Sequence, residues 1–292
     1  MFSVVRHCLA TIALLCTGLW SVTTGLAVAG TAPGAAAAVA RVRDDVGEDV
    51  RSSPALRRIV ANRLLRVCLW PAYYGISFRH PRDGRLSGLD VDLSAELARE
   101  LGVQLRYVDS SFPRLMADLE EERCDVAMFA VAITPERQTR LAFTQPYLRS
   151  DIYGVTTRGN RTVRQWADID RHGVVVAVQG GTQMEPVMRQ SLKMARLLVV
   201  QPPATREGEL LSGRADVFMT DYPYSRSLLE NADWARLVAP ERPFHPLLYA
   251  YAVRRGDPAW LARMNAFVAD IKRDGRLRAA ADRYGLGAIV VP

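Results

Sequence analysis

Arg137, Thr182 and Asp221 are the side chains whose types and spacing best suit work on a small charged molecule. Arg137 follows Thr134-Pro135-Glu136, which reads as a helix start: threonine as N-cap, proline in the first turn, and a glutamate favourable to the helix dipole. A guanidinium placed there can grip a carboxylate through two parallel N–H bonds. The alternative is a surface arginine paired with Glu136 or a neighbouring acid. In Gln179-Gly180-Gly181-Thr182, which joins an apolar run to a helical pattern, the glycines could bring backbone N–H groups close to an anion while Thr182 donates a hydroxyl. Asp221 follows another apolar run and could pair with an ammonium group or cap the next helix. No Ser/His/Asp or Cys/His arrangement accompanies these residues, which argues against hydrolase chemistry.

The elements that must position these groups alternate between short apolar runs and amphipathic patterns. Leu64 to Trp70, ended by Pro71, reads as a buried strand. After a turn at Pro81-Arg82-Asp83-Gly84, Leu93, Leu97, Ala98 and Leu101 share one helical face, with Gly102 as the stop. A strand over 104–108, a helix carrying Phe112, Leu115, Met116 and Leu119, and a strand over 124–129 follow. A second set of the same units starts near Gly173, with strands over 174–178, 197–200 and 216–219. Arg123-Cys124-Asp125-Val126 and Arg214-Ala215-Asp216-Val217 each follow an amphipathic helix and open a strand, so the chain is expected to build two similar α/β lobes. The closing strand over 248–253 and a helix with Trp260, Met264, Phe267 and Ile271 complete one of them. In such sheets ligands bind beyond the carboxyl ends of strands, which directs attention to the loops after Met128, Val178 and Met219.

Composition supports a globular reading. The 292 residues are 49% hydrophobic and 24% charged, enough chain for one large or two small domains. The net charge of +7 comes from 38 basic and 31 acidic residues that are interspersed, so no nucleic-acid footprint emerges. Residues 1–40 contain one charged side chain, Arg6, then an apolar stretch from Cys8 to Cys16 and small residues, the layout of a secretory signal peptide with cleavage after Ala29 or Ala40. Thr11, Thr17, Ser21, Thr23 and Thr24 break that stretch, and no later segment is apolar enough to span a bilayer, so a soluble exported chain is expected. Residues 41–62 are polar without clear periodicity and read as a tether. Export leaves Cys68 and Cys124 where a disulfide can persist; a bridge between neighbouring strands and two buried thiols are both open. The four histidines and the cysteines show no metal-ligand spacing, so neither metal nor cofactor is expected.

Over residues 62–286 the chain resembles the bacterial extracellular solute-binding proteins of family 3, the polar-amino-acid receptors of ABC transporters. The resemblance is carried by Gly88-Leu89-Asp90-Val91-Asp92-Leu93, Cys124-Asp125-Val126-Ala127-Met128, Ile133-Thr134-Pro135-Glu136-Arg137, Phe143-Thr144-Gln145-Pro146-Tyr147, Gly180-Gly181-Thr182, Ala215-Asp216-Val217-Phe218 and Asp274-Gly275. It implies a type II periplasmic-binding-protein fold, each lobe a mostly parallel sheet flanked by helices. Lobe 1 would comprise 63–150 plus 251–292 and lobe 2 residues 151–250, with hinges at residues 149–155 and 247–253. It further implies a periplasmic monomer that closes on an amino acid or small carboxylate and presents it to an inner-membrane permease. By the resemblance Arg137 binds the α-carboxylate with help from Gly181-Thr182, Asp221 binds the α-ammonium, and Tyr73, Tyr74 and Phe78 wall the ligand. Asp90, Asp92, Asp125 and Asp216 are read as structural. The chain departs from the family pattern at Phe129-Ala130-Val131-Ala132, where small or hydroxyl residues are usual, so Phe129 is expected to fill space in the site.

The chain is also similar to the cyclohexadienyl dehydratases, which share this scaffold and remove water and carbon dioxide from prephenate or arogenate. The likeness lies around Leu115-Met116, Pro146-Tyr147-Leu148-Arg149, and from Leu192-Lys193 to Val199. That chemistry needs an acid near the leaving hydroxyl. Glu185, in Gln183-Met184-Glu185-Pro186, is the candidate acid, its alternative being a favourable charge at a helix start.

Overall fold

A computed structural model describes residues 52–292. The expected signal peptide and half of the expected tether lie outside the described residues.

Helix α1 (Pro54–Asn62) leads into strand β1 (Leu64–Leu69). A small antiparallel sheet of β2 (Ala72–Tyr73), β3 (Ser77–Arg79) and β4 (Leu86–Ser87) precedes α2 (Leu89–Leu101) and β5 (Gln104–Asp109). Then come α3 (Leu115–Glu120), β6 (Val126–Ala132), α4 (Pro135–Arg140), β7 (Leu141–Phe143) and β8 (Leu148–Ser150). The chain crosses into the second lobe through β9 (Tyr153–Thr157) and continues as β10 (Val175–Gln179), α5 (Met184–Ser191) and β11 (Arg196–Val200). Helix α6 (Arg206–Leu211), β12 (Val217–Thr220), α7 (Tyr222–Asn231) and β13 (Ala235–Val238) complete that lobe. The chain returns as β14 (Leu247–Arg254), α8 (Pro258–Arg273) and α9 (Arg276–Arg283).

The lobes repeat one plan. In the first sheet β1 lies parallel between β5 and β6, and β14 joins β6 antiparallel; in the second β10 lies parallel between β11 and β12, and β9 joins β12 antiparallel. Each sheet is mostly parallel in strand direction, as expected, with one reversed strand, the one that brings the chain across from the other lobe. All seven residues of β6 are buried, as befits a central strand covered on both faces. The echo between Asp125 and Asp216 is real. Each carboxylate accepts the N–H of the residue facing it on the neighbouring strand, Arg66 at 2.8 Å and Val175 at 2.8 Å.

Three expectations are corrected. First, 54–62 is helix, not tether. Ser53 caps it by accepting from Leu56 N at 3.0 Å, Pro54 opens it, and Leu56 and Ile59 are buried. With only a few apolar positions among arginines, its period is too weak to read from sequence. Second, the lobe boundary expected at 250/251 falls inside β14, which pairs wholly within the first sheet, with β6, β7 and β8. The apolar run of β14 is strand from its first residue, so the second crossover lies ahead of the expected 247–253, in residues 239–246, while the first, Asp151-Ile152, falls within the expected 149–155. Asp151 joins them, its carboxylate accepting from Phe244 N at 2.8 Å and His245 N at 2.7 Å. Third, of the two readings left open for the cysteines, the structure takes the bridge: Cys68 on β1 is bonded to Cys124 just before β6.

Candidate functional site

The two lobes meet over a cavity of about 30 Å³. Lobe 1 lines it with Trp70, Tyr73, Phe112, Ala130, Ala132 and Arg137; lobe 2 contributes Thr182, Met184, Arg206, Thr220, Asp221 and Tyr224; and Tyr249 reaches in from β14. A space of that size holds a water or two, so a larger occupant requires the lobes to part.

Arg137 sits where its sequence context indicates. Thr134 caps α4 by accepting from Arg137 N at 3.2 Å, and the side chain turns inward until the residue is only 6% exposed. This excludes the surface-pair reading. Its guanidinium donates to Ala132 O and, across the cleft, to Gly181 O, both at 2.9 Å. Burial lowers its pKa to about 10, so it stays protonated at neutral pH. Asp221 caps a helix and also lines the cavity. One carboxylate oxygen caps α7 by accepting from Tyr224 N at 3.1 Å; the other accepts from Tyr249 Oη at 2.7 Å and from Tyr73 Oη, both of lobe 1. Burial raises its pKa, opposed by the two phenols, the Tyr224 N–H and the charge of Arg206. The same burial, reinforced by Asp221, pushes both phenols well above the ordinary tyrosine value, so they remain donors.

The Gly-Gly turn behaves differently from the expected anion cradle. Gly180 N donates to Val200 O, Gly181 N to Glu185 Oε2 and Thr182 N to Gln179 O, so each N–H has a partner within the lobe. The Thr182 hydroxyl also donates to Gln179 O, at 2.7 Å. What the turn offers is close approach: Gly181 has φ +73°, and a Cβ there would stand 2.8 Å from Pro113 N of the other lobe.

Of the expected aromatic walls, Tyr73 lines the cavity but Tyr74 and Phe78 do not. Tyr74 and Phe78 stack on each other at 4.3 Å, with Tyr74 edge-on to Tyr224 behind the cavity wall. Phe129 is also displaced from its expected place. Fully buried in the alternating pattern of β6, it packs behind Phe112, which forms the wall itself. Phe112 lies ahead of α3 rather than on its apolar face. The wall next to it is shaped by Asp90, which accepts the N–H of Ala130 at 2.9 Å and holds that residue at φ +47°. Tyr147 and Tyr251 also donate to Asp90, and burial lifts its pKa to about 6.

Sequence reasoning missed Trp70, Arg206, Tyr224 and Tyr249. A signal was present for Tyr249 in the alternation of the last strand, whose inward side ends at the cleft. None was present for Arg206, which reads as an ordinary helix-opening arginine. Glu185 stands outside the cavity, in an adjoining groove of about 420 Å³. Its carboxylate accepts from Gly181 N at 3.1 Å and from Arg189 at 2.9 Å, the helix-start role.

Two α/β lobes, two crossovers and a closed cleft lined by opposed charges define a hinged binding protein. The sequence profile of the bacterial extracellular solute-binding proteins, family 3, matches residues 65–287, and the chain belongs to that family. It is 32% identical over 230 residues to the cyclohexadienyl dehydratase of Pseudomonas aeruginosa, covering 78% of this chain and 85% of that one. It is 28% identical over 229 residues to the L-cystine-binding protein TcyJ of Escherichia coli, with the same coverage of 78% and 85%. Among solved structures it is similar to the ancestral amino acid-binding protein AncCDT-1, a precursor of cyclohexadienyl dehydratase, with a TM-score of 0.72 and 28% identity over 78% of this chain and 98% of that one.

Proposed function

We propose that this protein captures an amino acid or similar small carboxylate in the periplasm by closure of its lobes and presents it to an ABC transporter permease. The observation that carries this reading is the placement of Arg137 and Asp221, buried and from opposite lobes, on one cavity. A zwitterion entering between them exchanges contacts one for one. Its carboxylate takes the Arg137 donors now on Gly181 O, and its ammonium takes the Asp221 oxygen now shared by two phenols. A ligand that touches both lobes only when they are shut favours the shut state by that difference in contact energy.

The likeness to cyclohexadienyl dehydratase supports a second reading, an enzyme on the same fold. The position of Glu185, bound to Gly181 N and Arg189 outside the cavity, speaks against that residue as its acid.

One experiment tests both readings. Ligand-stripped protein is melted in the presence of amino acids, other small carboxylates, prephenate and arogenate, with phenylpyruvate and phenylalanine assayed in the same wells. A ligand at about 1,000 times its Kd adds about 4 kcal/mol of stability. The expected result is stabilisation by an amino acid without turnover, lost in Arg137→Ala while that variant's own melting temperature changes little. Product from prephenate or arogenate establishes the enzyme, and unchanged affinity in Arg137→Ala removes the site assignment.

A further inference from the structure

We infer that Arg206 is a second anion anchor, which makes the ligand an amino acid with an acidic side chain; this rests on the amino-acid-receptor reading above. Arg206 opens α6 just after its N-cap Thr205, and is only 4% exposed. One guanidinium nitrogen donates to Met219 O at 2.9 Å, and the plane lies over the rings of Tyr224 at 4.5 Å and Phe218 at 5.2 Å. Those contacts fix the group at the cavity wall and leave Nε and Nη2 without a hydrogen-bond partner among the described residues. No carboxylate stands within 4.0 Å of it, nor of Arg137, among the described residues. Arg66, by contrast, which is also partly buried, is met by Asp125 at 2.7 Å. The adjacent Glu207 does not serve, because its carboxylate is turned to the Tyr224 hydroxyl at 2.7 Å.

A buried charge with no partner of opposite sign is costly to maintain, and a bound ligand can supply that partner. The cavity is lined by two guanidiniums, Arg137 and Arg206, against one carboxylate, Asp221, among the described residues, while the phenols of Tyr73, Tyr224 and Tyr249 are held neutral by burial. The cationic groups outnumber the carboxylate. A neutral zwitterion uses Arg137 and Asp221 and leaves Arg206 unmatched, and a cationic side chain adds a third positive charge. A side-chain carboxylate completes the balance and finds a planar fork of donors waiting for it.

The test is calorimetric titration of ligand-stripped protein with L-glutamate, L-aspartate, their amides L-glutamine and L-asparagine, and L-arginine, repeated on Arg206→Gln and Arg206→Lys. Acid and amide have nearly the same shape, so their affinity ratio isolates the charge. The expected result is a preference of at least ~10-fold for one acid over its amide, falling toward unity in Arg206→Gln and partly kept in Arg206→Lys. An amide or L-arginine bound as well as the acids, or an acid preference unchanged in Arg206→Gln, overturns the proposal and leaves the receptor reading standing. Absence of binding by every amino acid overturns both. The wild-type ratio is decisive by itself should either variant fail to fold.

Discussion

The two lobes share a strand plan and differ in what they place at the ends of equivalent strands. At the end of β6 the first lobe offers Ala130 and Ala132, and at the end of β12 the second offers Thr220 and Asp221. The first lobe supplies most of the aromatic wall and one cation; the second supplies Tyr224, another cation and the only cavity carboxylate among the described residues. The supports differ likewise. Asp125 of the first lobe anchors its neighbouring strand and also pairs with Arg58 and Arg66, and the strands it joins are bridged by Cys68–Cys124. Asp216 of the second lobe anchors its neighbour through one backbone N–H, without an ion pair or a disulfide among the described residues. One topology thus serves as a heavily braced wall on one side and a lightly braced, charge-bearing jaw on the other.

Removing the disulfide gives the largest expected effect. Cys68→Ser with Cys124→Ser releases a loop of 56 residues, which the chain-entropy relation values at about 4 kcal/mol. Hydrogen exchange should rise in β1 and β6 far more than in β10 and β12; equal loosening of both lobes would break the comparison. Asp90 comes next. Its folded pKa, raised from 3.8 to about 6, means the native state holds a proton that the unfolded chain has released between those values. Stability is therefore full below pH 4 and falls as pH rises through 6, by about 3 kcal/mol from this group. Asp90→Asn should flatten that slope in denaturant titrations across pH 4 to 7, and an unaltered slope would show that Asp90 is not its source. Smallest are the two equivalent aspartates. Asp125→Asn takes from Arg66 its carboxylate and from Arg58 one of two, the other being Glu122 at 3.0 Å, and should cost about 2 kcal/mol, whereas Asp216→Asn should cost about 1 kcal/mol. Equal losses would mean that the ion pairs of the first lobe add nothing beyond the shared backbone contact.

Much of this architecture is legible in the sequence, because strands buried on both faces leave continuous apolar runs and capped helices leave their N-cap residues. The helix starts at Thr134 and Asp221 and the echo of Asp125 in Asp216 were all readable from local spacing. Whether the Thr134 helix delivers its arginine to the surface or the interior was not, since that depends on the opposing lobe. For the same reason Tyr74, Phe78 and Phe129 look like wall residues in sequence. Their types are right, but pleat and stacking turn them away from the cavity, and Phe112 and Trp70 take their place. Helix α1 and the small sheet of β2 to β4 escaped because segments of two to nine residues carry too few periods to register. Arg206 escaped because a buried arginine and a surface arginine at a helix start have the same local sequence.

The clasp at Asp151 has a mechanical consequence. Two separate strings joining two bodies allow them to swing, twist and slide. Pinned together at one carboxylate, through Phe244 N and His245 N, the strings share a pivot, and swinging about it remains the softest movement. A jaw mounted this way returns along the same arc each time it shuts, so groups carried on opposite lobes, such as Arg137 and Asp221, come back into register without any guidance from what lies between them.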